Sequence, residues 1–235
     1  MRNDSFRFSQ KVAGQERKVI AAVIAEALGG QVRYAGAPGF AYEADGGNPV
    51  GSWSVDRDSM VHSPEIGLDE IKSIRPVIDA LNIAGLSAEG TMTIALALYG
   101  FGEANLENLK NLLASKETLI KKALSIDQEI VVSAENDRIT FPFWNATLNA
   151  DEVQTYITLV RQMAEHAKTQ KRVLRTEKPA DNEKYAFRCF LLRLGFIGDE
   201  FKTERKVLLA RLSGNGAFRN GEARRNSSRA VDENE

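Results

Sequence analysis

The sequence predicts an α+β protein: an N-terminal mixed αβ sandwich, then a helix-rich part with one β-hairpin, closed by a C-terminal helix pair. Three observations carry this. Over the first hundred residues the apolar pattern runs in the order strand, helix, several strands, helix, strand. After Gly102 helical spacing dominates. Charge also segregates: residues 168–229 hold sixteen Lys/Arg against seven Asp/Glu, a net +9, whereas residues 1–167 carry −7 and the last six −3. The expected divisions are an α+β domain at 1–101, a helix-rich domain at 102–220 and a disordered tail at 221–235. Helices on one face of a mostly antiparallel sheet follow from this order, and a ferredoxin-like arrangement elaborated by extra hairpins is one form it can take.

Residues 5–10 alternate around Phe6 and Phe8, a strand pattern. Residues 14–28 place Val19, Ile20, Val23, Ile24, Ala27 and Leu28 on one helical stripe, stopped by Gly29-Gly30. Short strands are expected at 31–35, 40–44, 52–56 and 60–62, separated by Gly/Pro/Asn/Asp turns. A helix over 68–84 buries Leu68, Ile71, Ile74, Ile78 and Leu81, and Pro76 either bends it or marks its start. A strand follows at 91–99. Residues 105–113 and then 119–124 are helical, with Ser115 where an N-cap belongs. Residues 130–133 and 138–141 flank Ala134-Glu135-Asn136-Asp137 as a hairpin, and Asn149 caps a long helix with Arg161, Gln162, Glu165 and Lys168 facing away. Residues 171–178 form a basic loop. Asp181 or Asn182 caps a helix to about Leu194, a glycine turn follows, and Asp199 caps the last helix.

The 43% apolar and 27% charged content is that of an ordinary globular chain. No apolar run reaches the roughly 20 residues of a membrane span. The N-terminus reads as carrying no secretory signal, so a cytoplasmic setting is expected. The single cysteine, Cys189, excludes an internal disulfide and a cysteine-cluster metal site, and it reads as a small buried hydrophobe.

The basic end interleaves Tyr185, Phe187, Phe190, Phe196, Phe201 and Phe218 with Lys and Arg. Phosphates need cations and unstacked bases need flat partners, so this composition suits nucleic acid. The helix pair also has the outline of a helix-turn-helix. Lys184, Arg188, Lys202, Lys206 and Arg211 are the expected phosphate contacts, with Lys171, Arg172 and Arg175 of the loop adding charge. Against this, most of the aromatics fall on apolar helix faces, and Glu200 and Glu204 repel phosphate. Phe143 and Trp144 close the hairpin and form a candidate protein-interaction anchor. Asp56 and Asp58 have the D-x-D spacing of some metal and phosphate-transfer sites, with His62 or Glu65 nearby, although Asp is also a common turn residue. His62 and His166 lack an i, i+4 metal-binding partner, and no dinucleotide or phosphate-loop motif is present. No cofactor, metal or catalytic residue is expected.

Three stretches resemble a known family: Tyr34-Ala35-Gly36-Ala37-Pro38-Gly39-Phe40-Ala41-Tyr42, residues 112–124, and residues 181–219 with their core at 182–198. The family is carried on conjugative and phage-like mobile elements of gut bacteria and is usually labelled only as virulence-related. The resemblance covers nearly the whole chain, brings no catalytic residues with it, and departs at the loop over 46–52. It implies a mobile-element accessory protein acting against host defence or in element maintenance. Together these readings lead to a non-enzymatic protein that binds nucleic acid or a nuclease–nucleic-acid complex. The alternatives are an inhibitor that docks on a host enzyme without nucleic-acid contact, and a metal-dependent enzyme using Asp56 and Asp58.

Overall fold

The organising strand is β1 (Ser5–Ala13), because its two faces differ in burial from Phe6 onward. Phe6, Phe8, Gln10 and Val12 are buried while Arg7 and Lys11 are exposed, as a period of two requires when one face meets a core. The computed structural model describes residues 5–46, 51–97, 100–143 and 148–217. Within them β1 pairs with β5 (Met60–His62) on one side and β7 (Ser87–Ala97) on the other. Beyond β5 lie β4 (Trp53–Val55), β3 (Tyr42–Asp45) and β2 (Gln31–Tyr34); beyond β7 lie β9 (Arg138–Phe143) and β8 (Ser133–Glu135). The two-residue β6 (Ile66–Gly67) also pairs with β1. The sheet order is β2-β3-β4-β5-β1-β7-β9-β8, and every described pairing is antiparallel. Because β9 joins β7, the sheet crosses the division expected at residues 101 and 102.

One face of this sheet is apolar. Met92, Ile94 and Leu96 of β7, Ile139 and Phe141 of β9, Val61 of β5 and Val55 of β4 join the buried residues of β1. Helix α1 (Arg17–Leu28) lies over β2, β3 and β4 and buries Ile20, Ala21, Ile24 and Ala25. It ends at Gly29, whose φ of 69° is the left-handed conformation that glycine adopts without a Cβ clash. A 3₁₀ turn over Leu68–Ile74 leads into α2 (Arg75–Ile83), so Pro76 sits in the first turn and starts the α-helix rather than bending it.

The remaining helices are α3 (Glu103–Ala114), α4 (Glu117–Leu124), α5 (Ala150–Thr169), α6 (Glu183–Arg193) and α7 (Lys202–Ala210). Asn149 caps α5 by accepting from the N–H groups of Asp151 and Glu152. Helix α5 is central: from Thr155 to Val160 every residue is buried, enclosed by α2, α3, α7 and β7. Thr158 tolerates this because its hydroxyl donates to the Gln154 carbonyl at 2.8 Å. Large side chains such as Phe187 and Phe196 are wholly buried, each contributing roughly 1.5–3 kcal/mol of apolar transfer.

Three local expectations are corrected. Ser115 does not cap α4; its hydroxyl donates back to the Leu112 carbonyl at 2.8 Å and finishes α3. The strand expected at 130–133 falls at Ser133–Glu135, where it pairs with β9 across Asn136 and Asp137. Asp199 opens a 3₁₀ turn over Asp199–Phe201 without capping it through its side chain, and α7 begins only at Lys202. No described helix is long and apolar enough to cross a membrane.

Candidate functional site

The basic loop after α5 is held at both ends. At its start, Asn108 of α3 reaches across from a buried position. Its amide donates to the Gln170 carbonyl at 2.7 Å, and its carbonyl oxygen accepts the Val173 N–H at 2.9 Å. At its end, Glu177 accepts from the Thr118 N–H at 3.1 Å and the Thr118 hydroxyl at 2.9 Å. A carboxylate at the first turn of α4 is favoured by the helix dipole and its unpaired N–H groups. Between these anchors Lys171, Arg172 and Arg175 stand exposed. The loop is therefore a fixed strap that displays three cations.

Beside the strap other cations crowd together. Burial pushes the Lys116 ammonium down, and the positive charges of Arg193 and Lys178 push it further, with Glu177 offsetting part of this. Burial and then the same Arg193 hold the His166 imidazole below its ordinary value. Lys116 precedes α4, Lys178 ends the strap, His166 belongs to α5 and Arg193 closes α6. Arg193 thus acts electrostatically on both Lys116 and His166, and Lys178 and the Glu177 carboxylate also act on Lys116. Lys178 and Arg193 lie in the +9 stretch, but Lys116 sits far upstream in the acidic part, with no local pattern to single it out.

The C-terminal helices separate packing from charge. Asn182 caps α6, accepting the Tyr185 N–H at 3.0 Å. Phe187, Phe190 and Leu191 face the core, while Arg188 is exposed and Lys184 half-buried. Phe196 is buried in the turn with Phe201 5.2 Å away between ring centres, and Arg205 ties that turn to α7 through the carbonyls of Phe196 and Gly198. Buried rings cannot stack on bases, which removes Phe187, Phe190 and Phe196 as platforms. Lys202 and Lys206 are exposed on α7. The start of α7, however, borders a cleft of about 350 Å³ lined by Asp151, Glu200 and Glu204 together with Lys72 and Arg75. Asp151 there is paired with Arg75 and Glu204 is buried, which leaves Glu200 as the exposed carboxylate beside α7 that would repel phosphate.

Arg211 is also not free for phosphate. Its guanidinium donates to Glu152 at 2.8 Å and to the Ala123 carbonyl at 3.2 Å. Burial works against its charge, but the hydrogen bonds to Glu152 and Tyr156 outweigh that and hold it protonated. It is a tie between α7, α4 and α5. Among the described residues no carboxylate forms an ion pair with Lys171, Arg172, Arg175, Lys184, Arg188, Lys202 or Lys206. The Phe143 side chain and Trp144 lie outside the described residues.

The acidic candidates divide differently. Residues 56–59 form a turn in which Asp56 accepts the N–H groups of Asp58 at 2.9 Å and Met60 at 3.0 Å. Its other oxygen meets His62 Nε2 at 2.9 Å, while Asp58 stays exposed. Burial works to raise the Asp56 carboxyl, but His62 and the two N–H donors prevail and leave it below the usual range. Glu65 is taken by Ser5, Arg138 and Arg7. Among the described residues no three His, Cys, Asp or Glu side chains converge to hold a metal ion, and Asp56 with His62 forms only a pair.

No family model matches the chain, and no curated protein matches it in sequence.

Proposed function

We propose that the protein binds nucleic acid, or a nuclease carrying it, through the locus of Lys116, Lys178 and Arg193 and the adjoining strap. The observation that carries this is the exposed trio Lys171, Arg172 and Arg175 on a loop held at both ends, beside Lys116, whose ammonium is lowered first by burial and then by the charges of Arg193 and Lys178. A fold that holds like charges together stores repulsion, and a polyanion relieves it. Lys171, Arg172 and Arg175 extend the surface, and Lys184 and Arg188 supply a further patch on α6. The emphasis thereby moves from α7 toward the strap and α4. The resemblance to mobile-element proteins favours nucleic acid as the polyanion and an accessory, anti-defence role as the setting. The body that carries the surface we read as an elaborated ferredoxin-like unit of β1, α1, β4, β5, α2 and β7, on the strength of the strand order β7-β1-β5-β4.

Six phosphate contacts set the expected salt response. Affinity for a short duplex then falls about 10³-fold between roughly 50 and 200 mM salt. A fluorescence anisotropy titration of the full chain at both concentrations measures this. Absence of binding to DNA and RNA at low salt, or an affinity indifferent to salt, overturns the proposal.

A further inference from the structure

The side of the sheet opposite the core carries a chain of hydrogen bonds that nucleic-acid binding does not use. On β1 this side presents Arg7, Ser9 and Lys11 in alternation with the buried Phe8 and Gln10. Ser9 lies directly opposite His62 of β5 in the strand register. The Ser9 hydroxyl is 2.8 Å from His62 Nδ1, and His62 Nε2 is 2.9 Å from Asp56. Asp56 is itself fixed by the Asp58 and Met60 N–H groups. Ser9 and His62 are half-buried, so reagents in solution reach them.

The protons can be placed by elimination. An ionised carboxylate only accepts. An ionised Asp56 therefore takes its hydrogen bond from Nε2–H, and the Nε2–H tautomer presents the Nδ1 lone pair to Ser9. The serine hydroxyl is then the donor, aimed at a basic nitrogen. Nucleophile, base and orienting acid stand in the order that activates a serine, with the two imidazole nitrogens exchanged relative to the familiar protease arrangement.

We infer that Ser9 is a nucleophile toward esters, with His62 as its general base and Asp56 as the group that orients His62. In the first step Ser9 Oγ bonds to the acyl carbon while its proton passes to His62 Nδ1. The tetrahedral adduct collapses, the ester's C–O bond breaks, and the leaving alcohol takes the proton from His62. Water then attacks the acyl-Ser9 ester with His62 again as base, releasing the acid and restoring the hydroxyl. Lys11 flanks Ser9 on the same strand face, roughly 7 Å away, and favours an ester that carries an anionic group, while Arg7 on the other side is shared with Glu65. The exposed sheet face suits an ester presented on a chain end or surface rather than one enclosed in a pocket.

The test uses the full chain with a fluorophosphonate probe and with p-nitrophenyl acetate, read by intact mass, peptide mapping and p-nitrophenol release. The expected result is a single adduct on Ser9, absent in Ser9→Ala, forming about 10²-fold more slowly in His62→Gln. Circular dichroism of both variants confirms that they are folded. No adduct at Ser9 with either reagent, or equal labelling rates in the native chain and His62→Gln, overturns the inference. The salt titration above is independent of either outcome.

Discussion

Replacing Asn108 by alanine should release the basic strap, and the cost follows from its contacts. The side chain donates to the Gln170 carbonyl at 2.7 Å and accepts the Val173 N–H at 2.9 Å, with a longer contact to the Ala167 carbonyl at 3.4 Å. Alanine leaves two backbone groups without partners. A buried unsatisfied group costs about 1–3 kcal/mol. Gln170 and Val173 are half-buried, so water recovers part of this, and a total of about 2–4 kcal/mol is expected. With a urea slope of about 2 kcal/mol per molar, the unfolding midpoint falls by roughly 1–2 M. Asn108→Asp separates the contributions. It keeps the acceptor for Val173 but turns a carboxylate toward carbonyls at the C-terminal, negative end of α5. At neutral pH it should therefore be less stable than Asn108→Ala. In acid, protonation restores a donor and the order should reverse. Freeing one or two strap residues should also weaken polyanion affinity roughly tenfold, since each must be re-ordered on binding. A midpoint shift below about 0.3 M in Asn108→Ala, or Asn108→Asp as stable as the native chain at pH 7, refutes the reasoning.

Asn182→Ala removes the α6 cap and the hydrogen bond from its amide to the Asn215 carbonyl at 3.0 Å; a loss of about 1–2 kcal/mol in chemical denaturation is expected, and no loss contradicts the capping assignment. Asp56 has a folded pKa below its ordinary 3.8, so its contribution is fully present above that value and is lost as pH falls through the folded pKa. The stability advantage of the native chain over Asp56→Asn should accordingly shrink as pH falls from neutral through 3.8 and below; a difference that stays constant over this range removes His62 and the turn N–H groups as the cause.

Elements with a local signature were legible in the sequence. Asn149 and Asn182 announce the starts of α5 and α6, Pro76 marks α2, and Gly29 ends α1. The alternation around Phe6 and Phe8 identifies β1 and its buried face. What escaped depends on contacts far apart in the chain. Thr155 and Thr158 look like a polar face of α5, yet both are buried, because the helix is enclosed rather than laid on one surface. Val19 belongs to the apolar stripe of α1 but stays 42% exposed, since the buried face centres on Ile20, Ala21, Ile24 and Ala25. Asn108 looks like a surface residue of an amphipathic helix until the strap arrives, 62 residues later, to receive its hydrogen bonds. Ser9 and His62 meet through strand register 53 residues apart. Arg211 was readable as a cation but not as the partner of Glu152, which comes from another helix. The +9 stretch located most of the charge, while Lys116 joined it only through folding.

The most direct test of the central claim compares the native chain with a Lys116→Ala, Lys178→Ala, Arg193→Ala variant in anisotropy titrations against short single- and double-stranded DNA and RNA. The locus predicts a large loss of affinity, with the slope of log affinity against log salt reduced by about 2–3, in a variant that is still folded and no less stable than the native chain. Retained affinity and an unchanged slope in the triple variant would contradict the account and leave the basic segment as a solvated face.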